Sequence, residues 1–129
     1  MPAICDLNLF RMEIKIKRVY DAPSADDGKR LLVDRLWPRG LSKENARIDK
    51  WFKEVAPSGE LRKWYNHEAD KFSEFSRRYR EEIISGKAFA ELLEYLNDHP
   101  KVSLLFAAKE AELSNAAVLS RILHDHLVK

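Results

Sequence analysis

Val102-Ser103-Leu104-Leu105-Phe106-Ala107-Ala108 is the stretch that decides the fold. It is apolar at nearly every position and is bounded by Lys101 and Lys109. So short an apolar run reads as a strand covered on both faces, the pattern of a central parallel strand. Just upstream, Phe89, Leu92, Leu93 and Leu96 recur at helical spacing until His99 and Pro100. Just downstream, Ser114 is a predicted N-cap for a helix whose inward face is Val118, Leu119, Ile122 and Leu123. A buried strand between two amphipathic helices is the signature of a layered α/β domain.

Further out, Arg30 to Leu36 (RLLVDRL) is a second doubly covered strand built on Leu31, Leu32 and Val33, and Pro38 and Gly40 end it. Glu13 to Tyr20 (EIKIKRVY) alternates, with Ile14 and Ile16 opposite Lys15 and Lys17, as in a half-buried strand. Ser42 to Val55 is predicted as a helix capped by Ser42, because Ile48, Trp51, Phe52 and Val55 fall on one helical face. Ser58 caps a short helix through Tyr65. Asp70 caps another carrying Phe72, Phe75, Tyr79 and Ile83, with Gly86 as its stop. The prediction is an α/β fold with a small, mainly parallel sheet and helices packed on its faces. The link from Asp21 to Gly28 is short for a parallel crossover, which leaves a mixed sheet open. Trp51, Phe52, Phe72, Phe75, Phe89, Leu92 and Phe106 are the expected core.

Length and composition set the outer limits. With 129 residues the chain is one domain's worth: residues 13–129, preceded by an extension over residues 1–12. Hydrophobic residues at 45% are enough for a packed core despite 34% charged residues. No apolar run approaches the roughly 20 residues of a membrane span, so a cytoplasmic protein without membrane partners is expected. Cys5 is the single cysteine, which excludes an internal disulfide, and with Asp6 beside it nothing activates its thiol. His124 and His126 stand two apart on a helix and face different sides, so no metal site is expected. No Walker, GxGxxG or GxSxG pattern is present, and no cofactor is expected. The net charge of +2 is too small for a nucleic-acid coat protein. It hides an asymmetry: Lys29 to Tyr65 holds ten Lys or Arg against five Asp or Glu, together with all three tryptophans.

Ligands of open α/β sheets bind outside the carboxyl ends of the strands. The second strand's end carries Asp34, Arg35, Trp37, Pro38, Arg39 and Gly40; the last strand's end carries Lys109 and Glu110, then Asn115 at a helix start. Arginines, a lysine and a helix N-terminus at one edge suit a phosphate or carboxylate. The candidate site is therefore Arg35, Arg39, Lys109 and Asn115, joined by Arg62 and His67 from the segment around Trp64. Asp34 and Glu110 are the acids that would neutralise it from within. Asp34 and Arg35, if both in a strand, point to opposite faces. Arg35 is equally readable as a structural arginine paired with Asp34 or Asp49.

Lys17-Arg18-Val19-Tyr20, the run Leu32 to Gly40 (LVDRLWPRG), Ala56-Pro57-Ser58, the run Leu61 to His67 (LRKWYNH) and the run Leu104 to Lys109 (LLFAAK) come in that order. Over Ile14 to Leu127 the chain resembles the YeaO-like branch of the bacterial family called "domain of unknown function 488". The resemblance implies a small α/β protein and leaves the activity open. Family members often carry an acid followed by His or Asn after the Lys109 position. Ser114 and Asn115 stand there, so histidine chemistry at that edge is not expected. The favoured reading is a protein, enzyme or not, for a small phosphorylated or carboxylated ligand. The alternatives are a nucleic-acid-associated module using residues 29–65 with Trp37 and Trp64 as stacking groups, or a partner-binding domain without chemistry. The oligomeric state is not legible.

Overall fold

The computed structural model describes residues 12–128; Cys5 and most of the predicted extension lie outside them. Four strands form one sheet: β1 (Glu13–Arg18), β2 (Lys29–Leu32), β3 (Lys50–Trp51) and β4 (Lys101–Phe106), in the order β1-β4-β2-β3. All three pairings are parallel, with Ile14 opposite Val102, Leu31 opposite Leu104 and Leu32 opposite Trp51. The short link between β1 and β2 is accommodated because β4 lies between them. The helices are α1 (Lys43–Ala46), α2 (Gly59–Tyr65), α3 (Phe72–Ile83), α4 (Lys87–Asp98) and α5 (Asn115–Val128).

Period-two alternation sorts the strands' side chains between two cores. Leu31, Val33, Val102, Leu104 and Phe106 face the large core, where α2 to α5 supply Leu61, Tyr65, Phe75, Tyr79, Phe89, Leu92, Leu96 and Leu119. Leu32, Leu105 and Val19 face the other way, under Trp37, Leu41, Ile48 and Trp51. Four helices thus share one face, and the segment between β2 and β3 covers the other. Trp51 and Phe72, expected deep in the core, are half-buried at its margins.

The helix predicted over Ser42 to Val55 is only one turn long. Ser42 Oγ caps it by accepting the Asn45 N–H at 3.1 Å, but Arg47 turns left-handed (φ 48°) and ends it. The chain then pairs as β3 beside β2, where Asp49 N donates to Arg30 O and Phe52 N to Leu32 O, both at 2.8 Å. The helical spacing of Ile48, Trp51, Phe52 and Val55 is coincidental. Ile48 and Trp51 serve the small core; Phe52 and Val55 serve the large one. Asp70 lies in a short 3-10 turn before α3, and Gly86 opens α4 as its N-cap instead of stopping α3.

At the N-terminal edge of the sheet, Asp27 and Arg30 form a buried ion pair at 2.6 Å, and Arg30 Nε and Nη2 also donate to Ala46 O. Lys17 Nζ completes it, 2.9 Å from Asp27. The structural arginine of this fold is therefore Arg30, and Asp49 accepts the Arg30 backbone N–H, leaving Arg35 unpaired to either Asp34 or Asp49.

Candidate functional site

β2 ends at Leu32, earlier than the sequence predicts. Val33 N still donates to Leu105 O at 3.1 Å, but at the next residue a side chain replaces the ladder: Asp34 Oδ2 accepts the Ala107 N–H at 2.9 Å. Trp51 Nε1 donates to Asp34 O at 2.7 Å and fixes the bend. The two central strands separate there, and a cleft of about 570 Å³ opens at their carboxyl ends. That size is within the range of small-ligand sites. Because residues 34–36 form a bend and not a strand, Asp34 and Arg35 both line it, against the expectation of opposite faces.

Arg35, Arg39, Arg62, His67 and Asn115, five of the six residues singled out from the sequence, line this cleft. Lys109 does not; it is exposed beyond Ala108. Lys63 and Tyr20 line the cleft and were missed, as was the central position of Asp34. An acid directly after a buried apolar strand run was the available signal for Asp34. Among the described residues Asp34 is the one carboxylate lining the cleft, facing three arginines and a lysine. Trp37, Tyr65, Phe75 and Leu113 give it apolar wall.

Local structure explains each placement. Arg35 is held by carbonyls, its Nη2 donating to Ala56 O at 3.2 Å and its Nε to Pro57 O at 3.4 Å, with Glu54 at 3.9 Å on the outside. Arg39 has its backbone pinned, since the Tyr20 hydroxyl donates to Arg39 O at 2.9 Å and Gly40 turns at φ 77°. Its guanidinium is exposed and enters none of the ion pairs among the described residues. Arg62 is on α2, which Ser58 caps by accepting the Leu61 N–H at 3.1 Å, while Glu82 accepts the Ser58 N–H and hydroxyl. Asn66 and His67 follow in succession with φ of 47° and 55°. Left-handed residues other than glycine are uncommon, and Asn and His tolerate the region better than most. The double turn brings His67 back to the cleft. Asn115 opens α5, and its Nδ2 donates to Val33 O at 3.0 Å.

Burial pushes the Asp34 carboxyl above the usual carboxylate range. The Ala107 N–H, the Asn115 amide and the fields of Arg62 and His67 oppose that push without cancelling it. Tyr79, fully buried behind it, is raised by burial and then by the Asp34 charge; its hydroxyl donates to Val55 O at 2.5 Å. Tyr65 is raised by burial and then by Glu110, and its hydroxyl donates to Leu113 O at 2.8 Å. Trp64 lies outside the cleft, with the Arg78 guanidinium 4.3 Å and the Lys71 ammonium 5.1 Å from its ring centre. Trp37 packs edge-on to Trp51 at 5.6 Å. Among the described residues no three His, Cys, Asp or Glu side chains converge as metal ligands, and no helix is long and apolar enough to cross a membrane.

A small parallel α/β sheet with a cationic cleft at its strand ends is the class that fold and site define. The chain belongs to a family described as the inactive DUF488-N3 subclade, DUF488-N3i, whose model matches residues 13–129. It is 43% identical over 111 residues to an uncharacterized protein of Mycobacterium tuberculosis, covering 86% of this chain and 93% of that one; an uncharacterized protein of Mycobacterium bovis matches to the same extent. It is 38% identical over 109 residues to the uncharacterized protein YeaO of Escherichia coli, covering 84% and 95% of the two chains. The YeaO-like resemblance read from the sequence therefore holds. No solved structure matches the chain.

Proposed function

We propose that the cleft binds a small phosphorylated or carboxylated molecule and holds it without turning it over. The observation that carries this reading is the charge balance of the cleft. Arg35, Arg39, Arg62 and Lys63 line it against Asp34 alone, and Asp34 is already committed to the Ala107 N–H. Cations gathered in one concave site repel each other unless an anion joins them, and guanidinium groups match phosphate and carboxylate oxygens in pairs. Arg35 is pre-positioned by two carbonyls; Arg39 and Arg62 are free to close on a ligand. Binding without turnover is favoured by the description of the subclade as inactive. The nucleic-acid alternative loses support because Trp64 lies outside the cleft and already carries Arg78.

Calorimetric titration of the full chain with ribose 5-phosphate, pentyl phosphate, gluconate and hexanoate tests the reading. At least one of these anions binds, and Arg39→Ala weakens it about tenfold or more, the usual cost of a lost charged hydrogen bond. The melting temperature stays within about 2 °C of the parent, as for other exposed side chains without structural partners. Binding of none of the four, or binding indifferent to Arg39→Ala, overturns the proposal. Tight binding of single-stranded nucleic acid with a steep salt dependence would replace it with the second reading.

A further inference from the structure

The same cleft contains a feature that anion binding leaves unused. Asp34 is half-buried, enters none of the ion pairs among the described residues, and accepts one close hydrogen bond, Oδ2 from Ala107 N, with the Asn115 amide a looser neighbour of the carboxyl. Among the described residues Oδ1 accepts no hydrogen bond, yet no fully buried side-chain oxygen or nitrogen lacks a partner. Oδ1 is therefore reachable, and the cleft that Asp34 lines is what reaches it. Asn115 repeats the arrangement. Its Nδ2 donates to Val33 O and lies beside the Asp34 carboxyl and the Tyr79 hydroxyl, its Oδ1 has no donor among the described residues, and it too lines the cleft. Two acceptor oxygens on neighbouring side chains thus face a site whose other charges are cationic.

We propose that Asp34 and Asn115 read hydroxyl groups, so that the ligand is a polyhydroxylated organic anion of the sugar-phosphate or sugar-acid type. This rests on the anion reading above and adds the ligand's second half. The acceptors call for donors. A ligand ammonium is excluded by the surplus of cations around it, which would repel a further positive charge. A neutral hydroxyl carries no such penalty, and two adjacent hydroxyls match two adjacent acceptors. Structural duty accounts for Asp34 Oδ2 as a clamp between the strand ends. It does not account for a carboxylate, because an asparagine oxygen would accept the same N–H without the desolvation cost of a charge.

The four probes form two matched pairs. Ribose 5-phosphate and pentyl phosphate share an anion and a carbon count, as do gluconate and hexanoate, and only the first of each pair carries hydroxyls. Calorimetry on the full chain is expected to show, in at least one pair, the hydroxylated member binding about tenfold or more tightly. Asp34→Asn keeps an acceptor for Ala107 N and offers an N–H in place of Oδ1. It should remove most of that preference while the alkyl member binds no more weakly than before. Equal binding within both pairs overturns the hydroxyl reading and leaves the anion cleft standing. So does a preference unchanged by Asp34→Asn in a variant whose circular dichroism and melting match the parent. Binding of no probe overturns the anion reading, and this one with it. If Asp34→Asn does not fold, the parent's ratio within each pair still decides.

Discussion

Asp34 and Asp26 show how one residue type is put to opposite uses. Asp26, exposed, accepts from Lys15 and Lys101, and those hydrogen bonds lower its carboxyl to about 2. Asp27 is pushed up by burial, but Lys17, the Ser24 N–H and Arg30 outweigh that and lower it. Asp34 has no ion-pair partner among the described residues and is raised. The consequences for stability have opposite signs. Asp26 supports the fold above its unfolded value, and that support is lost as the pH falls toward about 2. Asp34 favours the fold while protonated, and that contribution is lost as the pH rises through its raised value. Melting temperatures from pH 2 to pH 7 check this. Asp26→Asn should lie below the parent at pH 7 and converge with it near pH 2. Asp34→Asn should gain on the parent as the pH rises. An Asp34→Asn melting temperature that falls relative to the parent as the pH rises would refute the assignment. At this scale the sequence placed Arg39, Arg62 and His67 near the strand ends, where they line the cleft, but it did not separate Arg30 from Arg35. Which arginine is buried depends on where β2 stops, and that is set by a side-chain bond to a residue far along the chain.

The elements were legible wherever one physical signal stood alone. The apolar run of β4, the inward packing of Ile14 and Ile16 in β1 and the hydroxyl caps Ser42, Ser58 and Ser114 appear as read. The segment from Ser42 to Val55 was misread because helical spacing arose from a chain that serves two cores in turn. Nothing local distinguishes that from an amphipathic helix; the difference lies in the pairing with β2. The entry to β2 makes a sharper local demand. Gly28 sits at φ +67°, and a Cβ there would lie 2.2 Å from Lys101 O, against backbone that cannot swing aside. Gly28→Ala should therefore cost roughly 2 kcal/mol or more, combining left-handed strain with a steric clash. Chemical denaturation measures it, and a loss under about 0.5 kcal/mol would show that the turn relaxes freely.

At the scale of the whole molecule, fold class followed from the strand–helix alternation, but strand order did not, because a parallel sheet's neighbours are chosen by burial and not by succession. The two most apolar runs became the two central strands, β4 and β2, as double coverage requires. The distribution of helices was less legible. The tryptophan-rich segment substitutes for a helical layer on the small core, and in doing so delivers Trp37 and Arg39 to the cleft mouth.

The sheet order has a consequence for how the protein is made. β1 pairs with β4, and Glu13 meets Lys101 only after the whole intervening segment, with β2, β3 and helices α1 to α4, has been synthesised. β2 waits for the same partner. A nascent chain that has emerged only as far as Pro100 holds β1 on one side of a gap and the β2–β3 pair on the other, with an unfilled apolar face. Such non-local closure is slow and leaves strand edges exposed. A version ending at Pro100 should show no cooperative thermal transition by circular dichroism and should be cut rapidly by protease, whereas a cooperative melt would mean that the helices assemble without the keystone strand. Formation of the sheet is thus expected to wait for β4, which slides between β1 and β2 after both have been made.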